Sequence, residues 1–152
     1  MLTRRIARPL MATIFIAGGA DVLRNPGPRA EKADPIARKL GETLPLPEDP
    51  EQLVKLNAVA HVTFGTLLAI NRLPRLSAAV LAATLVPTTV AGHRFWEEDS
   101  PQGKAMQRTH FFKNLAILGG LMIAATDTEG APSLGWRARR AAKRARKALP
   151  VG

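Results

Sequence analysis

The feature that most constrains the fold is an uncharged segment, LSAAVLAATLVPTTVAG, at 76–92. Its only polar side chains are Ser and Thr, which can bond to the backbone of their own helix, so it lacks the polar face of a soluble bundle helix. A membrane-spanning helix needs roughly 20 mainly apolar residues, with about 17 as the lower limit. The alanine content and the absence of period-2 alternation argue against a strand. The segment therefore predicts a transmembrane helix.

Three other apolar segments accompany it: PLMATIFIAGGA at 9–20, LNAVAHVTFGTLLAI at 56–70 and NLAILGGLMIAAT at 114–126. Each reaches spanning length if the Arg, Lys and His side chains at its ends extend toward lipid headgroups. We therefore predict an all-α bundle of four transmembrane helices, at about 6–23, 53–71, 74–92 and 109–126, within one membrane domain, 1–136. The Pro-rich connection 24–52 is predicted to be an outer loop with a short helix at 35–44, and 97–108 a polar loop.

Charge in the connections predicts the topology. The N-terminus carries Arg4, Arg5 and Arg8, the turn NRLPR at 71–75 has two basic residues and no acid, and the tail at 137–147 has seven basic residues. The other two connections mix both signs. Because basic residues accumulate on the cytoplasmic side, both termini are predicted to be cytoplasmic in a multi-pass protein of the plasma membrane.

Two alternatives compete with this topology. The Arg-rich start followed by an apolar core and small residues at 17–20 also resembles a secretory signal. A soluble four-helix bundle with a basic tail is the other. Three further apolar segments disfavour the first alternative, and the missing polar face of 76–92 disfavours the second.

Small residues and a proline suggest how the helices pack. The glycine pairs at 18–19 and 119–120 are predicted to permit close helix contacts. Pro87 can kink the third helix, and Thr84, Thr88 and Thr89 are expected to satisfy the carbonyls that it frees.

Ionisable and amide side chains of the four segments converge on the outer end in this topology. Such groups are costly at membrane depth and mark either function or pairing. The inner ends offer only Arg side chains that extend to the headgroups. The candidate pocket residues are Asp21, Asn57, His61, Thr89, His93, Arg94, Trp96, His110, Lys113 and Asn114.

Two interpretations of this outer cluster stay open. As a pocket at headgroup level it would hold a quinone ring, a lipid headgroup or a small anion, with His as hydrogen-bond partner or proton acceptor. As a structural cluster, Asp21 would pair with Arg94 or Lys113, His61 would bond a backbone carbonyl, and Trp96 would be an interfacial anchor. No metal site is predicted, because the three His have no i, i+4 spacing.

The basic tail accounts for most of the net charge of +10; without its seven basic residues the rest of the chain is near +3. Following four spans, it is predicted to bind anionic lipid headgroups rather than nucleic acid, at about 1 kcal/mol per basic residue near the surface. Its residues are Arg137, Arg139, Arg140, Lys143, Arg144, Arg146 and Lys147. The chain has no Cys, which excludes disulfides and thiol catalysis.

The order of the blocks RPLMATIFIAGGADVLRNP, LVPTTVAGHRFWEEDSP and THFFKNLAILGGLMIAA resembles the DoxX family of small bacterial membrane proteins, in its actinobacterial form. The resemblance extends to about Trp136, and GH-FW and HFFKNLAILGG are its most specific parts. It implies a four-helix integral membrane protein. Relatives in the wider family are subunits of a thiosulfate:quinone oxidoreductase or are linked to oxidative-stress proteins, but no catalytic role carries over to a residue of this chain.

Three function hypotheses follow. The first is a membrane anchor or assembly subunit without catalytic activity of its own, whose partners are redox or respiratory membrane proteins, lipids and further copies of the chain. The second is an oxidoreductase subunit that binds quinone in the outer pocket. The third is a binder or transporter of a lipid or small solute. A lone enzyme is disfavoured because no nucleophile–base pair or cofactor fingerprint is present.

Overall fold

The structure is a computed structural model and describes residues 2–41, 47, 49–128, 130 and 134–148. These residues form six α-helices and no strand. The helices are α1 (Leu2–Arg24), α2 (Gly27–Gly41), α3 (Pro50–Ala69), α4 (Pro74–Gly92), α5 (Pro101–Thr126) and α6 (Leu134–Ala148). The predicted all-α class is confirmed.

Four of the helices, α1, α3, α4 and α5, pack around a common apolar core. The buried members of this core are Ala12, Phe15, Leu68, Ala78, Leu81, Leu85, Leu121 and Ala124. Because α1 supplies Ala12 and Phe15, it is part of the packed core. It packs extensively on α3 and only slightly on α5, while α2 packs on α3 and α4.

Local signals explain where the long helices begin. Asp49 accepts a hydrogen bond from the Glu51 amide (2.9 Å) at the start of α3, and Ser100 accepts one from the Gly103 amide (3.0 Å) at the start of α5. A proline follows each cap at the first helical position, where its missing N–H is not needed. Caps of this kind contribute about 1 kcal/mol each.

Two predicted boundaries were wrong. α5 begins at Pro101 instead of about 109, because the Ser100–Pro101 cap starts the helix inside the predicted polar loop. α2 begins at Gly27 instead of residue 35, and Pro35 lies within it. The carbonyl of Pro26 accepts from the amides of Arg29 and Ala30, which starts this helix early. Residues 42–44 of the predicted short helix lie outside the described residues.

One glycine of each predicted pair makes a close helix contact. A Cβ added at Gly19 would lie 2.8 Å from the carbonyl oxygen of Ala58 on α3, and one at Gly120 would lie 3.0 Å from the Met11 Cε on α1. Gly18 and Gly119 face open space, with nothing within 4 Å of such a Cβ. The role predicted for the pairs therefore falls on Gly19 and Gly120 alone.

An ion-pair network joins the other ends of the same helices. Arg4 donates to both carboxylate oxygens of Asp127 at 2.6 and 2.9 Å, and Arg8 donates to Asp127 at 3.1 Å and to the side chain of Asn71. Arg8 is only 3% exposed. The expectation that this end holds only Arg side chains extending to solvent or lipid was therefore wrong. The network brings the start of α1, the α3–α4 turn and the end of α5 together.

Two of the described helices, α1 and α4, are long and apolar enough to cross a membrane. At 1.5 Å per residue, the 19 residues of α4 give about 29 Å, close to the roughly 30 Å of a hydrocarbon core. Polar residues within α3 and α5, such as Asn57 and Lys113, lower the apolar content of those helices.

Candidate functional site

A cavity of about 570 Å³ lies at the end of the fold opposite the Arg8–Asp127 network. Helices α1 to α5 all contribute to its wall. Its apolar wall includes Ile14, Phe15, Val22, Leu53, Val54, Leu85 and Ile117, and its polar wall includes Arg29, Lys32, Asn57, His61, Thr88, His93, Gln107, His110, Lys113 and Asn114. Binding sites for small molecules are commonly concave and mostly apolar with a few placed polar groups, at about 300–1,000 Å³.

Threonines of α4 hold the amide and imidazole groups of the neighbouring helices. Thr84, Thr88 and Thr89 each donate their hydroxyl hydrogen to a backbone carbonyl one turn earlier, of Val80, Thr84 and Leu85 respectively. Their oxygens are therefore left to accept. Asn57 Nδ2 donates to Thr88 at 3.1 Å from α3, and Asn114 Nδ2 donates to Thr89 at 3.0 Å from α5.

These bonds also change the role that was predicted for the threonines. The carbonyl that Pro87 frees belongs to Ala83, one helical turn earlier. In the described part of the chain the three hydroxyls bond other carbonyls, as given above. The threonines therefore link α4 to α3 and α5 instead of repairing the backbone at the proline.

Hydrogen-bond partners fix the ring orientation of the three histidines. Thr84 has already donated its hydrogen, so His61 Nε2, 3.1 Å from the Thr84 oxygen, is the donor. His93 Nδ1 lies 2.8 Å from the amide oxygen of Gln107 and must also donate. His110 Nδ1 lies 3.3 Å from Lys113 Nζ and accepts. The second ring nitrogen of each histidine is left to bond other groups.

The rings of His93 and His110 stack at the cavity, with centroids 5.2 Å apart. Burial lowers the pKa of His93 below its usual value, and the hydrogen bond to Gln107 raises it only in part. Electrostatic interactions with His110, Lys113 and Lys32 lower the pKa of His93 further. His93, which lies just beyond α4, is therefore neutral at pH 7 and can accept a proton when a negative charge comes near.

Six of the ten predicted pocket residues line this one cavity: Asn57, His61, His93, His110, Lys113 and Asn114. Thr89 lies behind the wall and holds Asn114. Asp21, Arg94 and Trp96 are not in the lining. Asp21 forms its ion pair with Arg29, and Arg94 pairs with Glu97 at 3.1 Å. The suggested pairs of Asp21 with Arg94 or Lys113 were therefore wrong, as was a carbonyl partner for His61, which bonds the Thr84 side chain.

The prediction missed four polar lining residues, Arg29, Lys32, Thr88 and Gln107. Arg29 and Lys32 lie on the part of α2 that the sequence predicts to be loop. Gln107 lies on the first part of α5, which is also predicted to be loop. The cap at Ser100 and Pro101 was the available signal for Gln107. Had it set the start of α5, the spacing of Gln107 from His110 and Asn114 would have placed all three on one helical face.

Aromatic side chains form a second cluster at the same end. Phe95 and Trp96 pack edge to face, with ring centroids 5.1 Å apart, and Phe111 contacts both of them at 5.5 and 5.9 Å. Phe112 joins through Phe111 at 5.7 Å. Trp96 and Phe112 are each at least half exposed. Trp at such a position is typical of a membrane–water interface.

The predicted basic tail is helical within α6, Leu134–Ala148. Arg139, Arg140, Lys143 and Arg144 are exposed on α6, and the Arg140 guanidinium lies 4.7 Å from the centre of the Trp136 ring. The side chains of Arg137, Arg146 and Lys147 lie outside the described residues. A helix with exposed cations and an aromatic residue is typical of segments that lie on anionic lipid surfaces.

The described residues of the cavity wall offer hydrogen-bonding groups but no carboxylate. Among its described residues there is no carboxylate and no Cys, and the described chain has no group of three metal-ligating side chains. What the wall offers is imidazole, amide and ammonium groups beside apolar surface. This combination suits hydrogen bonding to an oxygen-bearing head of an amphiphile.

Comparison with known protein families identifies the family of the chain. The family model described as DoxX matches residues 4–94, more than half of the chain, from α1 to just beyond α4. No curated protein and no solved structure matches it. The family is membrane-associated, in agreement with the two helices that are apolar enough to cross a bilayer. The chain belongs to the DoxX family.

Proposed function

We propose that this chain is a multi-pass protein of the plasma membrane whose cavity, at the outer-leaflet end, binds a small amphiphilic molecule. The cavity is the observation that carries the proposal, because it combines about 570 Å³ of space with an apolar wall and a set of oriented polar groups. The cavity therefore favours the hypothesis of a quinone or lipid pocket over that of an anchor without a ligand.

Four spanning helices with cytoplasmic termini are part of the proposal. The Arg4–Asp127 and Arg8–Asp127 ion pairs hold the start of α1 and the end of α5 at the same end, as an even number of spans requires. Arg5, Arg72 and Arg75 lie near that end, which suits the cytoplasmic face. The polar residues of α3 and α5 would then face the cavity and each other instead of lipid, which lowers their cost in a membrane.

A quinone and a lipid are the two occupants that the wall suits. A quinone carbonyl would accept from His110 Nε2 if the ring entered at the stacked pair, because His93 Nδ1 already donates to Gln107. A lipid would place its head at the same groups and its chain against Ile14, Leu85 and Ile117. Both agree with the idea of a redox-linked membrane subunit that handles a lipid-soluble molecule.

The experiment uses two glycines that differ only in their relation to the cavity. Gly18 lines it, Gly119 does not, and an added Cβ meets nothing within 4 Å at either position. The native protein, Gly18→Leu and Gly119→Leu are purified in mild detergent, and bound quinones and lipids are extracted and quantified by mass spectrometry. We expect near-stoichiometric retention in the native protein and Gly119→Leu, and a large loss in Gly18→Leu. Equal retention in all three would refute the pocket.

A second candidate function is a docking subunit for a redox protein. The aromatic cluster of Phe95, Trp96, Phe111 and Phe112 favours it, because Trp96 and Phe112 are exposed and aromatic residues are enriched in protein interfaces. Stoichiometric recovery of a redox enzyme with the native protein, lost in Trp96→Ala and kept in Gly18→Leu, would support docking. The opposite pattern would support the pocket.

A further inference from the structure

Charge is distributed unevenly around the cavity. The lining contains three permanent cations, Arg29, Lys32 and Lys113, and no carboxylate among the residues that the structure describes. Asp21 compensates Arg29 through a direct ion pair. The described chain offers no such partner to the two lysines, and the bond that Lys113 makes is to a neutral imidazole nitrogen, at 3.3 Å. The mouth of the cavity therefore carries about two uncompensated positive charges.

The deeper polar groups of the cavity do not account for these charges. Asn57, His61 and Asn114 are uncharged, and each donates one hydrogen bond to a hydroxyl oxygen of α4. Lys32 and Lys113 come from different helices, α2 and α5, and both line the cavity close enough to His93 to lower its pKa. Two ammonium groups that face one space repel each other, and an anion between them replaces that repulsion by attraction.

The rest of the wall has the opposite character. Below the histidines it is formed by Ile14, Phe15, Leu85 and Ile117, from α1, α4 and α5. α1 makes few contacts with α5 compared with those it makes with α3, so these two helices are only sparsely packed against each other. Apolar side chains such as Ile14 and Leu115 are exposed on α1 and α5. A chain of methylenes can therefore reach the cavity from a surrounding bilayer.

We infer that the ligand of this cavity is an anionic amphiphile, with a phosphate or carboxylate head between Lys32 and Lys113 and a single apolar chain along the α1–α5 wall. This inference rests on the proposed pocket and adds the charge of its ligand. A neutral quinone ring fills the space but leaves both ammonium groups uncompensated. An anionic head accepts charge-assisted hydrogen bonds from them, which are roughly twice as strong as neutral ones.

The test measures binding of four probes to the full chain in a neutral sugar detergent, by native mass spectrometry and titration calorimetry. The probes are lysophosphatidylglycerol, lysophosphatidylcholine of the same chain length, palmitate and inorganic phosphate. They separate the charge of the head from its chemistry and from the chain. A decyl quinone serves as the neutral reference.

The variants are matched in charge and position. Lys32→Gln/Lys113→Gln removes one cation from α2 and one from α5 inside the cavity. Lys39→Gln/Lys104→Gln removes one cation from each of the same two helices, at exposed positions outside it. The net charge of the two variants is the same, so only the location of the lysines differs.

We expect one molecule of lysophosphatidylglycerol to bind per chain, roughly ten-fold or more tightly than lysophosphatidylcholine. Palmitate should follow the anionic lipid, and inorganic phosphate alone should bind far more weakly. Lys32→Gln/Lys113→Gln should remove the preference for the anionic head, while Lys39→Gln/Lys104→Gln keeps it.

Four results would overturn the inference, and they differ from failure of the pocket itself. Equal affinity for the anionic and zwitterionic lipids, or tight binding of the quinone alone, leaves the pocket standing and rejects the anionic head. Equal loss in both double variants assigns the effect to overall surface charge. Tight binding of inorganic phosphate rejects the need for a chain. If no probe binds at all, the proposed pocket fails together with the inference.

Discussion

Replacing Asp127 by Ala should destabilise the fold through two arginines that lie far from the cavity. Asp127 accepts from Arg4 and Arg8, whose side chains are 35% and 4% exposed, and is itself 20% exposed. Breaking a buried ion pair costs about 3–5 kcal/mol, and an exposed pair contributes about 0–1 kcal/mol. Because the carboxylate is partly exposed and Asn71 still accepts from Arg8, we expect a loss of about 2 kcal/mol, between these limits.

The measurement is reversible unfolding in mixed detergent micelles, followed by far-ultraviolet circular dichroism. Asp34→Ala is the matched control, because Asp34 pairs with Arg38 four residues later on α2, where Arg38 is 77% exposed. That loss should be below about 0.5 kcal/mol. Asp127→Asn, which keeps one acceptor oxygen, should fall between the two. If Asp127→Ala costs no more free energy of unfolding than Asp34→Ala, the buried network contributes nothing and the reasoning is refuted.

Three further outcomes are expected. Gly19→Ala should destabilise the fold by about 1–3 kcal/mol in the same unfolding assay because its Cβ would clash with the α3 backbone, whereas Gly18→Ala should be nearly neutral; equal effects would contradict the packing. Because the chain has no Cys, a single introduced cysteine is the only thiol that a maleimide can label. A membrane-impermeant maleimide should label Gln102→Cys in intact cells and Arg72→Cys only after permeabilisation. The reverse pattern would show that the topology is inverted. Affinity for an anionic lipid should rise as the pH falls from about 7.5 to about 5.5. The pKa of His93 is lowered in the free site and raised by a bound anion, so the gain in affinity is lost as the pH rises through the pKa of the bound state. A calorimetric affinity that does not change with pH would contradict this.

Helix positions followed from hydropathy wherever a segment was uncharged, and α4 begins and ends where it was predicted. Boundaries failed where a helix extends into polar sequence. α5 gains eight residues because a capping serine and a proline, not hydropathy, determine its start. α2 was shortened because Pro35 was assigned to the first turn of a helix, although it lies inside one.

The candidate site was predictable as a region but not as a set of contacts. A common topology placed Asn57, His93 and Lys113 at the same end without any knowledge of packing, and all three line the cavity. Pairing depended on distances that sequence spacing does not contain. Arg29 forms its ion pair with Asp21 because the start of α2 lies beside the end of α1. The position of α2 depends on its packing against α3 and α4, which the sequence does not show.

The buried Arg8 illustrates a second limit. An arginine near the start of a spanning segment is usually read as a side chain that extends to the headgroups. Its burial required two partners that are distant in the sequence, Asn71 and Asp127, to arrive at the same place. No local sequence pattern predicts that these three chain segments come into contact.

The most direct test of the central claim is photocrosslinking with a single-chain anionic lipid that carries a diazirine in its acyl chain. The native protein is irradiated in membranes, and the modified residues are identified by mass spectrometry. The account predicts saturable labelling of cavity residues such as Ile14, Leu85 and Ile117, competed by unlabelled anionic lipid and lost in Gly18→Leu. Labelling confined to exposed apolar residues such as Met122 and Ile123, without saturation, would mean that lipid contacts only the outer surface and that the cavity holds no amphiphile.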